Sequence, residues 1–118
     1  MNSPVWPIFV FLDDTTLEIC ESLAEARREY EGIDVEAGIY SFYDFKGRPL
    51  RPVFIEPNLR SSLFGKVYAI SSGVFDFVIS TDSEHESIMT KLQETSILRE
   101  NCRFSSFEDI SIHLRVLI

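Results

Sequence analysis

Residues 8–20 constrain the fold more than any other stretch of the chain. The segment IFVFL is apolar and rich in residues that favour β-strands, DDT has the composition of a turn, and TLEIC alternates apolar and polar residues. Two β-rich segments joined by a short turn are typical of a hairpin. We therefore predict two antiparallel strands that enter the hydrophobic core together.

Three further segments predict helices. SLAEARREYE begins with Ser22 and Glu25 at the spacing of a capping box, and Gly32 is predicted to end that helix in the left-handed conformation. EHESIMTKLQET has a similar start at Ser83, and the terminal SFEDISIHLRVLI is predicted to be capped by Ser106. The segment IDVEAG, which follows the first helix, is interpreted as a loop.

The middle of the chain predicts strands and turns. IYSFYDF (39–45) reads as a strand, and Lys46-Gly47 as a hairpin turn because glycine supplies a positive φ. Pro49 and Pro52 mark PLRPVFI as an edge strand or a strand with interrupted pairing, with Lys46, Arg48 and Arg51 exposed. LRSSLFGKVYAI is ambiguous between helix and strand at its start. KVYAI and VFDFVIS predict a second hairpin around SSG.

The whole pattern indicates an α+β fold. At 118 residues, of which 45% are apolar, the chain fits one globular domain over residues 1–118. Strands broken by separate helices, without regular βαβ alternation, predict an antiparallel sheet of about five to six strands with about three helices. We expect those helices mainly on one face of the sheet.

The charge is distributed unevenly along the chain. The formal net charge is -8, and residues 1–45 hold ten acids against two bases, whereas the remaining residues hold nine of each. An acidic face argues against binding of nucleic acid, because contacts with phosphates need clustered Lys and Arg. An ordinary surface adapted for solubility is the alternative explanation.

No catalytic or cofactor signature is present in the sequence. His85 and His113 lie 28 positions apart without a nucleophile motif nearby, and we interpret them as a solvated residue and a structural one. Asp13-Asp14 could converge on a cation with Asp34 and Glu36, but the spacing matches no calcium loop. We expect no enzyme activity, no metal and no cofactor.

The cysteines and the hydropathy indicate the compartment. Cys20 and Cys102 lie beside apolar segments without metal-ligand spacing, so we predict two buried free thiols, as is usual in a reducing cytosol. The longest apolar run, Ile8–Leu12, is too short to cross a bilayer, and MNSPVWP lacks the features of a signal peptide. A cytoplasmic protein without membrane contact is expected.

Residues 11–58 carry a family resemblance. The acidic hairpin, the SLAEA helix, the bend EGIDVEAG and the run YSFYDFKGRPLRPVF resemble small bacterial immunity proteins of contact-dependent and other polymorphic toxin systems. Residues 59–118 contribute nothing to this resemblance. It implies a protein that binds a cognate toxin domain, often a basic nuclease, and blocks it without turnover.

An acidic protein suits a basic toxin, because opposite charges speed encounter and disfavour wrong partners. The predicted contact residues are the acids of the first segment: Asp13, Asp14, Glu31, Asp34, Glu36 and Asp44. The alternative is a small adaptor or ligand-binding protein that uses the surface near residues 49–55, and a small enzyme is the more remote one. The oligomeric state stays open.

Overall fold

The predicted α+β class is confirmed: among the residues that the structure describes, six strands form one sheet and two more form a separate hairpin. The computed structural model describes residues 3–82 and 84–116, except for the side chains of residues 62, 63 and 67–70. The strands are β1 (Ile8–Leu12), β2 (Thr16–Cys20), β3 (Tyr40–Tyr43), β4 (Pro49–Glu56), β5 (Leu59–Leu63), β6 (Lys66–Ser71), β7 (Val74–Ile79) and β8 (Ile97–Leu98). The helices are α1 (Leu23–Glu29), α2 (Gly32–Ala37), α3 (Ile88–Gln93) and α4 (Phe107–Val116).

The sheet is built outward from the predicted hairpin of residues 8–20, which is confirmed. Its order is β7-β4-β3-β1-β2-β8. The strand β1 pairs antiparallel with β2 on one side and with β3 on the other, so that Leu12 lies opposite Tyr40. All pairs are antiparallel except β2 with β8, a parallel contact of two residues that the sequence analysis missed.

The helices lie on both faces of the sheet, so the expectation that they lie mainly on one face is wrong. One hydrophobic core joins Ile8 and Val10 to α1 and α2, and a second joins Phe9 and Phe11 to α3 and α4. The physical reason lies in β1, where these four consecutive residues are apolar and buried. A strand that is apolar on both sides needs a covering layer on each side.

The first helix begins as predicted, but the segment that follows it does not form a loop. The Ser22 Oγ accepts from the Glu25 N–H at 3.1 Å, and the Glu25 carboxylate accepts from the Glu21 N–H at 2.7 Å. Gly32 does not end this helix but begins α2, where a Cβ would meet Asn58 Oδ1 at 2.4 Å. The left-handed residue is Gly38, with φ 79°. Close packing, rather than a turn, therefore requires glycine at position 32.

The turn between β3 and β4 is confirmed, and a buried carboxylate holds it together. Gly47 has φ 82°, as the prediction requires. The fully buried Asp44 accepts from the backbone N–H groups of Lys46 and Arg48, each at 3.0 Å, through Oδ1. Its Oδ2 accepts from the Val5 N–H at 3.1 Å and from the Arg48 Nη2 at 2.6 Å. Arg48 is half-buried and forms an ion pair with Asp44, so the prediction that it is exposed is wrong.

The strand β4 lies inside the sheet, between β3 and β7, so it is not an edge strand. Its pairing with β3 nevertheless stops after Leu50, which agrees with the alternative of interrupted pairing. The backbone N–H and C=O groups of successive residues in β4 point alternately toward β7 and β3, and those of residue 52 face Tyr40 of β3. Because proline has no N–H, it cannot donate a hydrogen bond to Tyr40. The two strands separate at Pro52 and leave a cleft.

A hairpin projects between β4 and β7, and we call its residues 57–73 the arm. Within the arm β5 pairs with β6, whereas β7 pairs with β4, so the predicted hairpin of KVYAI with VFDFVIS is wrong. The turn lies instead at Phe64 and Gly65, with φ 52° and 76°. At the base of the arm Gly73 cannot carry a side chain, because a Cβ would lie 2.1 Å from the Glu56 carbonyl oxygen.

The last two helices agree with the sequence in their apolar faces and differ in one start. The Ser106 Oγ accepts from the Asp109 N–H at 3.1 Å, which confirms the cap of α4. The helix α3 begins at Ile88 with Ser87 as its N-cap, and the predicted cap Ser83 lies outside the described residues. Within the described ranges no helix has the length and apolar character needed to span a bilayer.

Candidate protein-binding surface

The topology brings two acidic segments to one end of the sheet. Because Leu12 lies opposite Tyr40, the turn after β1 is next to the connection from α2 to β3. Asp13 and Asp14 occupy that turn, and the Asp14 Oδ1 accepts from the Thr16 N–H at 3.1 Å. The helix α2 places its own acids beside them. Residues far apart in sequence therefore share one surface.

Four of the six predicted contact acids lie on this surface, and we call them the acidic end: Asp13, Asp14, Glu31 and Asp34. The first three are exposed and the last is half-buried. Glu31 precedes α2 and forms no side-chain cap to the helix. Among the residues that the structure describes, none of the four forms an ion pair with a Lys or Arg side chain. Their charge is therefore free to act on a partner.

Tyr40 lies at the centre of the acidic end. Its ring packs against Tyr30 with a centroid separation of 5.0 Å. Burial raises the pKa of the Tyr40 hydroxyl, and four nearby carboxylates raise it further: Asp34, Glu18, Glu31 and Asp13. A half-buried aromatic ring among carboxylates offers a protein partner both apolar area and negative charge.

The other two predicted contact acids are already engaged within the chain. Glu36 is exposed but forms an ion pair with Arg60 of the arm. Asp44 is fully buried in the β3–β4 turn, so its prediction as a surface contact is wrong. The sequence alone does not reveal this burial, because only the folded turn brings two N–H groups and the Arg48 side chain onto one carboxylate.

Glu18 is a part of this surface that the sequence analysis missed. Its carboxylate accepts from the Tyr30 hydroxyl at 2.9 Å and lies 3.6 Å from the Arg99 Nε. With Glu25 and Glu29 it lines a polar depression of about 240 Å³. The predicted hairpin could have revealed this position. It places Glu18 opposite Val10, and therefore on the face of the sheet that is covered by helices and contains Tyr30.

The cleft between β3 and β4 is a second concave feature, with a volume of about 260 Å³. Ser41 and Tyr43 line it from β3, Arg51 and Pro52 from β4, and His85 from the loop before α3. Arg51 and His85 are both exposed. This cleft coincides with the region near residues 49–55 that the ligand-binding alternative requires.

The two histidines occupy different places. The His113 Nε2 lies 2.8 Å from the Phe45 carbonyl oxygen, and its ring packs against Phe45 with a centroid separation of 4.0 Å. His85 lies at the cleft. No group of three or more His, Cys, Asp or Glu side chains in the described ranges is arranged to hold a metal ion.

The two cysteines are free, but only one belongs to the core. Cys20 is buried, and burial raises the pKa of its thiol to about 12. Cys102 is exposed, so the prediction that both thiols are buried is wrong for this residue. Its segment follows the short β8 and forms a bend on the surface rather than a core element.

Comparison with known proteins yields no relative. The chain matches no protein-family model, no curated protein and no solved structure. The resemblance of residues 11–58 to immunity proteins therefore stays a prediction.

Proposed function

We propose that the protein is a cytoplasmic immunity protein that binds the catalytic domain of a bacterial toxin in a one-to-one complex and blocks it. The observation that carries this proposal is the acidic end, where four acids without an ion-pair partner among the described residues lie at one end of the sheet and three of them, Asp13, Glu31 and Asp34, act on Tyr40. The resemblance of residues 11–58 supplies the class of partner. Inhibition of this kind needs no turnover by the inhibitor.

The acidic end suits a partner whose own surface is basic, such as a nuclease that binds phosphates. Negative potential concentrated at one end of the molecule steers such a partner toward that end and raises the association rate. Once the complex forms, the half-buried ring of Tyr40 provides the kind of amphipathic surface that is enriched at interfaces. Steering and contact then involve the same surface.

The proposal is tested with the toxin domain encoded beside this gene. Neutralising the acidic end with Asp13→Asn, Asp14→Asn, Glu31→Gln and Asp34→Asn should slow association about tenfold at low salt and leave dissociation less affected. Asn at position 14 keeps the oxygen that accepts from Thr16. Added salt should slow the wild-type protein in the same way, since charges are screened over roughly 8 Å at physiological ionic strength.

A matched control separates position from net charge. Changing the exposed Glu84, Glu86 and Glu108 to Gln and the exposed Asp82 to Asn removes the same number of charges from elsewhere on the surface. This control should associate faster than the variant of the acidic end. Equal, salt-independent rates for wild type and both variants would show that the acids serve only solubility, and absence of any complex with the wild type would refute the immunity proposal.

The β3–β4 cleft favours a second candidate function, the binding of a small ligand. A folded His85→Ala protein separates the two functions in the same assay, because His85 lines the cleft and is not part of the acidic end. Unchanged toxin binding and protection of growth are expected. Loss of protection with unchanged toxin binding would favour a role for the cleft.

A further inference from the structure

The cleft between β3 and β4 exists because the two strands stop pairing before either of them ends. The Asp44 N–H donates to the Arg48 carbonyl oxygen at 2.9 Å, and alternation along β3 then directs the backbone groups of Tyr40 toward β4. Leu50 is nevertheless the last residue of β4 that pairs with β3, since Pro52 has no N–H for the next step of the ladder. The opening in the sheet is therefore a consequence of one residue, Pro52.

The wall of the cleft is mainly apolar and aromatic. Phe42 and Leu50 are its buried part, and the half-buried Tyr40 and Pro52 stand nearer to solvent. The volume of about 260 Å³ lies below the roughly 300–1,000 Å³ of pockets that hold drug-sized ligands. The cleft therefore suits a molecule with one flat ring between the two strands, and is too small for a nucleotide or a larger cofactor.

Arg51 contributes a positive charge to this wall, and the charge has no partner within the chain. The sequence holds 19 acids against 11 bases, and Arg48, Arg60 and Arg99 each form an ion pair with one of these acids. Arg51 forms no ion pair with any acid in the described ranges. An arginine that stays unpaired in so acidic a protein keeps its guanidinium available to an anion.

The remaining polar groups of the wall do not oppose an anion. Among the described residues that line the cleft, Glu36 is the only acid, and Arg60 of the arm neutralises it. Glu84 and Glu86 are neighbours of His85 in the chain but do not line the cleft. The imidazole of His85 can donate a hydrogen bond in either protonation state. The unbalanced charge of the wall is thus that of Arg51.

We propose that the cleft binds a small aromatic monocarboxylate. The guanidinium of Arg51 and an N–H of His85 hold the carboxylate, and the ring lies against Tyr40 and the apolar wall. A phosphate suits the cleft less well, because it carries more charge into an apolar wall that offers few donors. This inference rests on the second candidate function, ligand binding, and is independent of the proposed toxin.

Titration of the purified full chain with benzoate, followed by NMR in the absence of toxin, tests the proposal. The signals of residues 40, 41 and 51 should shift in a saturable manner. Arg51→Gln should raise the dissociation constant for benzoate at least about tenfold, because the carboxylate loses its charged partner. Arg115→Gln is the matched control and should leave it unchanged, since Arg115 is exposed on α4 and also has no ion-pair partner in the described ranges.

Two further comparisons separate the parts of the proposal. Benzamide, which lacks the charge, and inorganic phosphate, which lacks the ring, should each bind at least about tenfold more weakly than benzoate. Pro52→Val restores an N–H, so β3 and β4 should pair further, and the folded variant should lose benzoate binding. The proposal is overturned by the absence of saturable binding, by benzamide or phosphate binding as tightly as benzoate, by equal effects of Arg51→Gln and Arg115→Gln, or by unchanged binding to folded Pro52→Val. None of these outcomes bears on toxin binding, which the association assay measures separately.

Discussion

Asp44 joins three parts of the chain through one buried carboxylate. Asp44 accepts hydrogen bonds from N–H groups of the β3–β4 turn, from the side chain of Arg48 and from the N–H of Val5 in the N-terminal segment. The charge of Asp44 therefore stabilises local structure, whereas the charge of Asp13 faces solvent. Two acids with the same chemistry differ because one is surrounded by donors and the other is not.

Replacing Asp44 should destabilise the protein far more than replacing a surface acid. Asp44→Ala leaves a guanidinium and three N–H groups without their acceptor, and we expect the free energy of unfolding to fall by about 3 kcal/mol. Urea unfolding measures this loss. Asp13→Asn is the matched control and should change the stability by no more than about 0.5 kcal/mol. Similar values for the two variants would mean that Asp44 does not hold the turn.

At the scale of secondary-structure elements, sequence reasoning succeeded where the signal was local. The hairpin of residues 8–20, the caps at Ser22 and Ser106 and the turn at Gly47 each depend on neighbours in sequence. The arm was mispaired because Phe64-Gly65 and SSG are both plausible turns, and only the pairing of β4 with β7 decides between them. The choice rests on contacts distant in sequence.

Asn58 gives a test of how the arm is held. Asn58→Ala removes the hydrogen bonds that the Asn58 side chain forms with the Gly32 carbonyl oxygen and the Gly73 N–H at the base of the arm. We therefore expect faster hydrogen exchange in β5 and β6 with little change in β1 and β3, because opening of the arm is a local event. Asn101→Ala is the matched control, since the Asn101 side chain also holds a turn, through the Arg103 N–H at 2.8 Å, but far from the arm in sequence. Exchange that rises uniformly in every strand would show that the arm and the sheet open together.

At the scale of the whole molecule, the two cores account for the position of the acidic end. Val35 belongs to the core on the side of α1 and α2, so α2 lies over that face of the sheet and carries its acids to the turn after β1. The uneven charge of the sequence predicted an acidic face, and four of the acids from the first segment lie at one end of the sheet. Which acids belong to that face could not be read from the sequence, since burial of Asp44 and pairing of Glu36 arise only in the folded chain.

The two cores also make stability sensitive to alkali. Burial raises the pKa of Cys20 from 9.0 to about 12 and that of Tyr43 from 10.0 to about 12. The unfolded chain loses these two protons at lower pH than the folded chain does. The protonated Cys20 and Tyr43 therefore favour the folded state fully below about pH 9, and this contribution to stability is lost as the pH rises toward about 12. We expect the free energy of unfolding to fall by about 1 kcal/mol per group for each pH unit above the unfolded pKa.

Urea unfolding at a series of pH values checks this expectation. Tyr43→Phe removes one of the titrating groups, so its stability should fall less steeply with pH than that of the wild type, although its stability at neutral pH is lower because the bond from the hydroxyl to the Glu86 carbonyl oxygen is lost. Parallel curves for wild type and variant would contradict the assignment.

The pairing of Glu56 with Val74 makes the arm an insertion in the topological sense. The sheet closes its β4–β7 ladder without any of the intervening residues, so a tight turn joining these two positions would leave the strand order unchanged. Length and sequence of the inserted segment can therefore vary independently of the cores, provided that the contacts of Asn58, Arg60 and Ser72 with α2 are kept. The body and the arm of this fold can thus diversify separately, and the same scaffold can present a different segment at this position.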